Sequence, residues 1–216
     1  MKLAVQCDFD GTITEEDVSF LILDTFVGNI WREMLTEYLE GRIPVGAFNK
    51  KVFAMVKADK KTQLDVIFNS DRVKIRPGLK ELIEYCAQQD YRFIIVSNGL
   101  TFYIDALLES QGLKNVEVFA ATNDFRPEGM IARYIGPDGR EMDAGFKESY
   151  TKLLIKDGYE VAYVGNGVSD IYPSRLSVKV FATGDLLRKC EEEKLAYTPF
   201  VDLHDVVRGL ESIKKS

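Results

Sequence analysis

The chain has 216 residues, 46% hydrophobic and 29% charged, with a net charge of −6. That balance supports one folded core with a modest insertion, and it argues against nucleic acid or an anionic membrane as partner, so any phosphate site must be positive only locally. Three scattered cysteines (Cys7, Cys86, Cys190) lack zinc or disulfide spacing, and no apolar run reaches the ~20 residues of a membrane helix, so the expectation is a soluble, cytoplasmic protein with buried thiols.

In chain order, the first expected strand is the apolar run at residues 3–9 (LAVQCDF), which leads straight into DGTIT. Residues 14–76 then read as consecutive amphipathic helices without a convincing strand, a charge-balanced insertion in an otherwise acidic chain. A helix follows at 77–89 with Pro77 in its first turn, then strands at 92–96 and 116–120. Residues 121–145 hold the turn signal GPDG between short strand-like pieces and predict a small β-hairpin. A helix at 147–156, ended by Asp157 and Gly158, and strands at 160–164 and 178–181 complete the pattern. The alternation predicts an α/β fold: a Rossmann-like, mostly parallel sheet wrapped by helices, formed by residues 1–13 and 77–216, with an all-helical insertion over 14–76.

In an open parallel sheet, ligands bind beyond the carboxyl ends of the strands. Three expected strands end in polar, turn-forming sequences: DFDGTIT, SNG and GNGVSD. The first puts Asp8 and Asp10 two residues apart, with Gly11 able to swing them to different tasks, one as nucleophile and one as proton carrier. A calcium loop is excluded there, because its sixth and twelfth positions are Ile13 and Ser19 instead of glycine and glutamate. At the second tip, Ser97, Asn98 and Gly99 precede a helix expected near Leu100, an arrangement that suits a phosphate oxyanion but is also an ordinary turn. At the third, Asn166 and Asp170 are oxygen donors for a hard cation such as Mg²⁺, and the dinucleotide fingerprint is incomplete.

Taken together, DFDGTIT, the serine after the second strand, a lysine before the fourth and GNGVSD resemble the four motifs of the haloacid dehalogenase superfamily. The helical insertion resembles the cap of its phosphoserine phosphatase branch. The tail LLRKCEEEKLAYTPFVDLHDVV looks closer still to the methionine-salvage phosphatases that act on a hydroxy-keto-methylthiopentenyl phosphate. The resemblance implies Mg²⁺-dependent hydrolysis of a small phosphorylated metabolite through an aspartyl-phosphate on Asp8, with Asp10 as general acid and base. It implies that Lys147 neutralises the transferring group, in preference to Lys152 and Lys156. Thr12, Ser97, Asn98 and Gly99 would hold phosphate oxygens, and Asp8, Asp10, Asn166 and Asp170 the metal.

Two departures bear on function. Asn166 stands where the resemblance expects an aspartate ligand, which leaves open a weakly catalytic binding or regulatory protein. Asp17 takes the place of the cap glutamate of phosphoserine phosphatases, while their arginine position falls near Val52, beside Lys50 and Lys51; phosphoserine is demoted accordingly. Asp17, Lys50 and Lys51 are the expected substrate-reading residues. A dehalogenase would leave Asp10 idle, and a phosphotransferase would share every motif. His204 reads as a surface or packing residue, and Trp31, Tyr38, Phe48 and Phe53 as cap core, with one or two of them facing substrate.

Overall fold

The structure is a computed structural model that describes residues 2–213; Met1 and residues 214–216, which the expected core range includes, lie outside the described residues. The chain begins with β1 (Leu3–Cys7), whose five side chains are all buried, as a central parallel strand requires. Four short helices follow: α1 (Val18–Phe26), α2 (Trp31–Leu39), α3 (Val45–Phe53) and α4 (Lys60–Phe68). Next come α5 (Leu79–Gln88), β2 (Arg92–Leu100), α6 (Thr101–Ser110), β3 (Glu117–Asp124), β4 (Ile131–Arg133) and α7 (Phe146–Lys156). Then follow β5 (Glu160–Gly165), a 3-10 turn (Val168–Asp170), α8 (Ile171–Ser174), β6 (Lys179–Ala182), α9 (Gly184–Glu193), β7 (Thr198–Pro199) and α10 (Leu203–Ile213).

One seven-stranded sheet runs in the order β4-β3-β2-β1-β5-β6-β7, with every pairing parallel except β3 with β4. The chain steps from β1 outward to β3 and later returns to β5 on the other side of β1. The crevice at the carboxyl end of β1 is therefore the topological switch point, where such sheets bind ligands. None of the helices of the described residues is long and apolar enough to cross a membrane, and all three cysteines are free and buried.

The expected elements are present, with shifted ends. The first strand stops at Cys7, because Asp8 N makes the last ladder bond to Val164 O and Phe9 O then gathers the amides of Thr12, Ile13 and Thr14 into a turn. The second strand runs on through Leu100, which re-pairs with Ala121 after a register shift, so α6 begins at Thr101. The hairpin forms between β3 and β4, but its turn is residues 125–130. The GPDG signal makes a separate turn closed by the bridge between Ile135 and Glu141. The helices α1–α4 leave and rejoin the sheet side by side: Thr14 bridges Ile75, Glu15 N donates to Lys74 O, and Arg76 N donates to Ile13 O. Arg76 then clips this junction down, donating to the carbonyls of Gly11, Thr12 and Val201. Behind it, Gly78 (φ +93°) presses α5 onto α10 so closely that a Cβ there would collide with the His204 backbone.

Candidate active site

The tips of β2, β1 and β5 open into one cavity of about 450 Å³, walled on the far side by α1, α2 and α3. Asp8, Asp10, Ser97, Asn98, Gly99, Lys147 and Asn166 all line it. Asp8 is buried, and its Oδ1 accepts from Phe9 N (2.8 Å) and Lys147 Nζ (2.7 Å). Its Oδ2 has no bonding partner among the described residues. Asp10 is held quite differently, by neutral donors: Val18 N to Oδ1 (3.0 Å) and Tyr103 OH to Oδ2 (2.5 Å). Tyr103 in turn shares a hydrogen bond with Ser19 of α1 (2.8 Å), so the carboxyl group is tied to the helical insertion.

Lys147 opens α7 and is 5% exposed, while Lys152 pairs with Glu148 on the outside. Its placement is specified by Gln6, a polar residue fully buried on the central strand. Gln6 Nε2 donates to Lys147 O (3.0 Å), and Thr151 Oγ1 donates to Gln6 Oε1 (2.8 Å), which fastens the first turn of α7 to β1. Lys147 Nζ then reaches both Asp8 and Asp170, the latter at 2.6 Å. Burial disfavours this ammonium, but the charges of Asp170 and Asp8 outweigh it and raise its pKa.

Burial and the charge of Asp170 push the Asp8 carboxyl up, Lys147 pulls it back, and the balance stands at about 8. Burial, followed by the charge of Asp17, raises Asp10 to about 8 against the hydrogen bonds from Tyr103 and Val18. Asp17 itself rises to about 6, chiefly through burial. One lysine therefore faces more carboxylate than it can balance.

Several expected site residues have other duties. Asp170 accepts four hydrogen bonds, from Lys147 Nζ and Tyr163 OH on Oδ1 and from Asn166 N and Gly167 N on Oδ2, which uses its ordinary capacity as an acceptor. It orients Lys147 and the loop after β5, and it does not line the cavity. Thr12 is fully buried, donates its hydroxyl to Asn166 Oδ1 (2.9 Å) and does not line the cavity. Asp17 lines the cavity but also caps α1, accepting from Phe20 N. Lys50 is paired with Glu141 and Asp143 away from the cavity, and Lys51 is exposed outside it. Of the four aromatics, Tyr38 and Phe48 reach the cavity, and Trp31 and Phe53 are core.

A family described as haloacid dehalogenase-like hydrolase matches residues 5–172. The chain belongs to this family. It is 27% identical over 217 residues to a Bacillus mycoides (strain KBAB4) protein named 2-hydroxy-3-keto-5-methylthiopentenyl-1-phosphate phosphatase, covering 99% of this chain and 98% of that one. A Brevibacillus brevis protein of the same name is 26% identical over 219 residues, at 99% and 97% coverage. Among solved structures, a substrate-bound phosphoserine phosphatase superposes with a TM-score of 0.71 at 17% identity, and a phospho-aspartyl intermediate analogue of phosphoserine phosphatase with 0.70 at 20%. Each covers 96% of this chain and 97% of the other. These two likenesses concern the fold.

Within this haloacid dehalogenase-like hydrolase, sequence reasoning missed Tyr103, Gln6 and Arg72. Tyr103 lies four residues past Gly99, in the first turn of α6, and that spacing was a usable signal. Gln6, a lone polar residue in an apolar strand, was another. Arg72 reaches the cavity from the loop after α4 and is held there by Glu16 (2.8 Å) and Asp24 (3.1 Å), a placement that only the tertiary fold creates.

Proposed function

We propose that the protein is a magnesium-dependent phosphomonoesterase working through an aspartyl-phosphate on Asp8. The supporting observation is the unequal treatment of two nearby carboxylates: Asp8 is paired with a buried ammonium and presents a free oxygen, whereas Asp10 is held only by the neutral donors Val18 N and Tyr103 OH. A charged partner on one carboxyl and neutral donors on the other suit a nucleophile and a proton carrier. Asp8 Oδ2 would attack phosphorus as the ester oxygen leaves with a proton from Asp10. Asp10, now ionised, would take a proton from the water that hydrolyses the acyl phosphate, releasing phosphate and restoring both residues. Ser97, the Asn98 amide and Lys147 would carry the charge on the transferring oxygens, while the Gly99 amide donates to Ser97 Oγ.

The oxygens available for a metal, beside the Asp8 carboxylate, are the Asp10 carbonyl, which accepts no hydrogen bond among the described residues, and the remaining lone pair of Asn166 Oδ1. An all-oxygen set beside surplus buried carboxylate fits a hard cation such as Mg²⁺, which would screen the repulsion between nucleophile and phosphate. The neutral Asn166 weakens that set without dismantling it. Residues 14–76 would act as a cap over a core of 1–13 and 77–216.

For the substrate, the cap side of the cavity offers Phe20, Leu23, Leu35, Tyr38 and Phe48, and its two cations, Lys147 and Arg72, are both already paired with carboxylates. No unpaired guanidinium there would grip an amino-acid carboxylate, so phosphoserine fits poorly. The lining suits a small, uncharged, partly apolar alcohol, in keeping with the names of the Bacillus mycoides and Brevibacillus brevis relatives. Three buried thiols and an acidic surface accord with a cytoplasmic setting. The test is turnover of a generic phosphomonoester with Mg²⁺, followed by a panel containing phosphoserine and methylthio-alkyl phosphates. Asp8→Asn should abolish turnover and any trapped phosphoryl group. Failure of the parent on every ester, at any Mg²⁺ concentration, would favour the binding-protein reading that Asn166 suggests.

A further inference from the structure

The peptide between Asn98 and Gly99 lies where the sheet does not hold it. The ladder between β2 and β3 breaks after Val96 and resumes at Leu100, and Gly99 makes rotation of this peptide cheap. Three hydrogen bonds replace the missing ladder. Asn49 of α3 donates from Nδ2 to Asn98 O (2.9 Å) and to Tyr134 OH (2.7 Å), and Tyr134 OH donates to the same Asn98 O (2.5 Å). Both side chains are buried, Tyr134 almost completely, so the triangle is screened from competing water.

In a trans peptide the carbonyl and the following N–H point in opposite directions, so fixing Asn98 O fixes the Gly99 N–H. That N–H donates to Ser97 Oγ (3.0 Å). With its oxygen thus engaged as acceptor, the Ser97 hydroxyl keeps its own proton free to donate into the cavity. We infer that Asn49 and Tyr134 are positioning residues for the phosphate-binding loop: through the Asn98–Gly99 peptide they hold Ser97 as a donor toward the transferring phosphoryl group. Because Asn49 belongs to the inserted helices and Tyr134 follows the hairpin, two distant segments must both be docked before the loop is complete. The inference rests on the phosphomonoesterase reading.

The deciding variant is Tyr134→Phe, because Tyr134 does not line the cavity and the change removes only a hydroxyl. The loss expected in kcat is about ten- to a hundred-fold, of the size seen when a supporting hydrogen bond behind a functional group is lost. Inhibition by vanadate, which mimics the five-coordinate phosphoryl group, should weaken by a similar factor, while KM changes by no more than about three-fold. Asn49→Asp, which removes the donor at nearly constant size, should behave alike. The double variant should be no worse than the worse single one, since both act on one carbonyl. Melting curves identify any variant that is simply unfolded. Unchanged kcat and vanadate inhibition in a folded Tyr134→Phe protein overturns the inference, as does equal loss in kcat and KM-limited binding. If the parent hydrolyses no phosphomonoester, the phosphatase reading fails by itself. Calorimetry with inorganic phosphate then still tests the clamp: weaker binding by Tyr134→Phe supports it, and equal or absent binding in both proteins overturns it.

Discussion

Replacing Lys147 by methionine keeps the length of the side chain and removes the ammonium that Asp8 and Asp170 share. At separations of 2.7 and 2.6 Å and an effective dielectric near 20, each pair is worth about 6 kcal/mol of attraction before desolvation. Desolvation of three charges returns much of that, and the cost of the substitution is set by the carboxylates left buried without a partner, about 3–5 kcal/mol per broken pair. The two losses do not add, because one lysine serves both and Asp8 relieves itself by taking a proton. We therefore expect a total of about 3–5 kcal/mol at pH 8, a large share of the ~5–15 kcal/mol that holds an ordinary domain together. At pH 5 the Asp8 carboxyl, already raised to about 8, carries a proton in both proteins, so the lysine has less to neutralise and the deficit shrinks. Adding Asp170→Asn should recover about 1–2 kcal/mol, since an amide oxygen can keep the Asn166 and Gly167 amides while its NH₂ turns to Tyr163. The assay is urea unfolding in chelator at both pH values, read by two probes. A Lys147→Met protein within about 1 kcal/mol of the parent at pH 8 would refute the ion-pair argument.

Asn166→Asp adds a charge to the proposed metal set; against repulsion from Asp8 and Asp170 we expect a net gain of about 1–3 kcal/mol, so half-saturating Mg²⁺ should fall roughly ten- to a hundred-fold. Superimposable Mg²⁺ titrations, by calorimetry or by turnover, would remove Asn166 from the metal. Tyr103→Phe keeps the ring against Phe9 and Phe102 but drops the bonds to Asp10 and Ser19. It should slow alkyl phosphates by about ten- to a hundred-fold and an activated aryl phosphate less, because only the former need the proton; equal slowing contradicts the role. Asp10, with its pKa raised to about 8 in the folded protein, contributes stability that is present below its unfolded value near 4 and is lost as pH rises through about 8. The melting temperature in chelator should therefore fall between about pH 6 and about pH 9, and Asp10→Asn should flatten that slope; a parallel slope in the variant would count against it.

Much of this was legible from residues. The apolar run of β1, the helical stretch after it and the three polar strand tips announced the sheet, the insertion and the crevice, because period and turn chemistry are local properties. The identity of the buried lysine was also legible, since only Lys147 stands at the mouth of its helix. What residues alone did not show were the partners that each side chain finds in the fold. Four donors surround Asp170, and Thr12 gives its hydroxyl to Asn166, neither of which periodicity or turn chemistry announces. Lys50 was misplaced because its partners, Glu141 and Asp143, lie some ninety residues away in sequence. A turn signal likewise reports that the chain bends, and the GPDG turn did form, but strand pairing chose a different bend for the hairpin.

The side-by-side crossings at Thr14 and Ile75 have a consequence in polymer terms. To the sheet, the whole helical segment is a single loop whose ends are already stitched together, and Arg76 secures the stitch to the carbonyls of Gly11 and Thr12, close behind the proposed nucleophile. The entropy of closing such a loop grows only with the logarithm of its length, so doubling it would cost about 0.6 kcal/mol. Strand register and the catalytic turn are thus nearly indifferent to how long the segment is or how it packs within itself. A core built this way tolerates exchange of the whole helical segment, so that, on the proposed role of that segment as a cap, substrate preference can change while the strand tips below stay fixed.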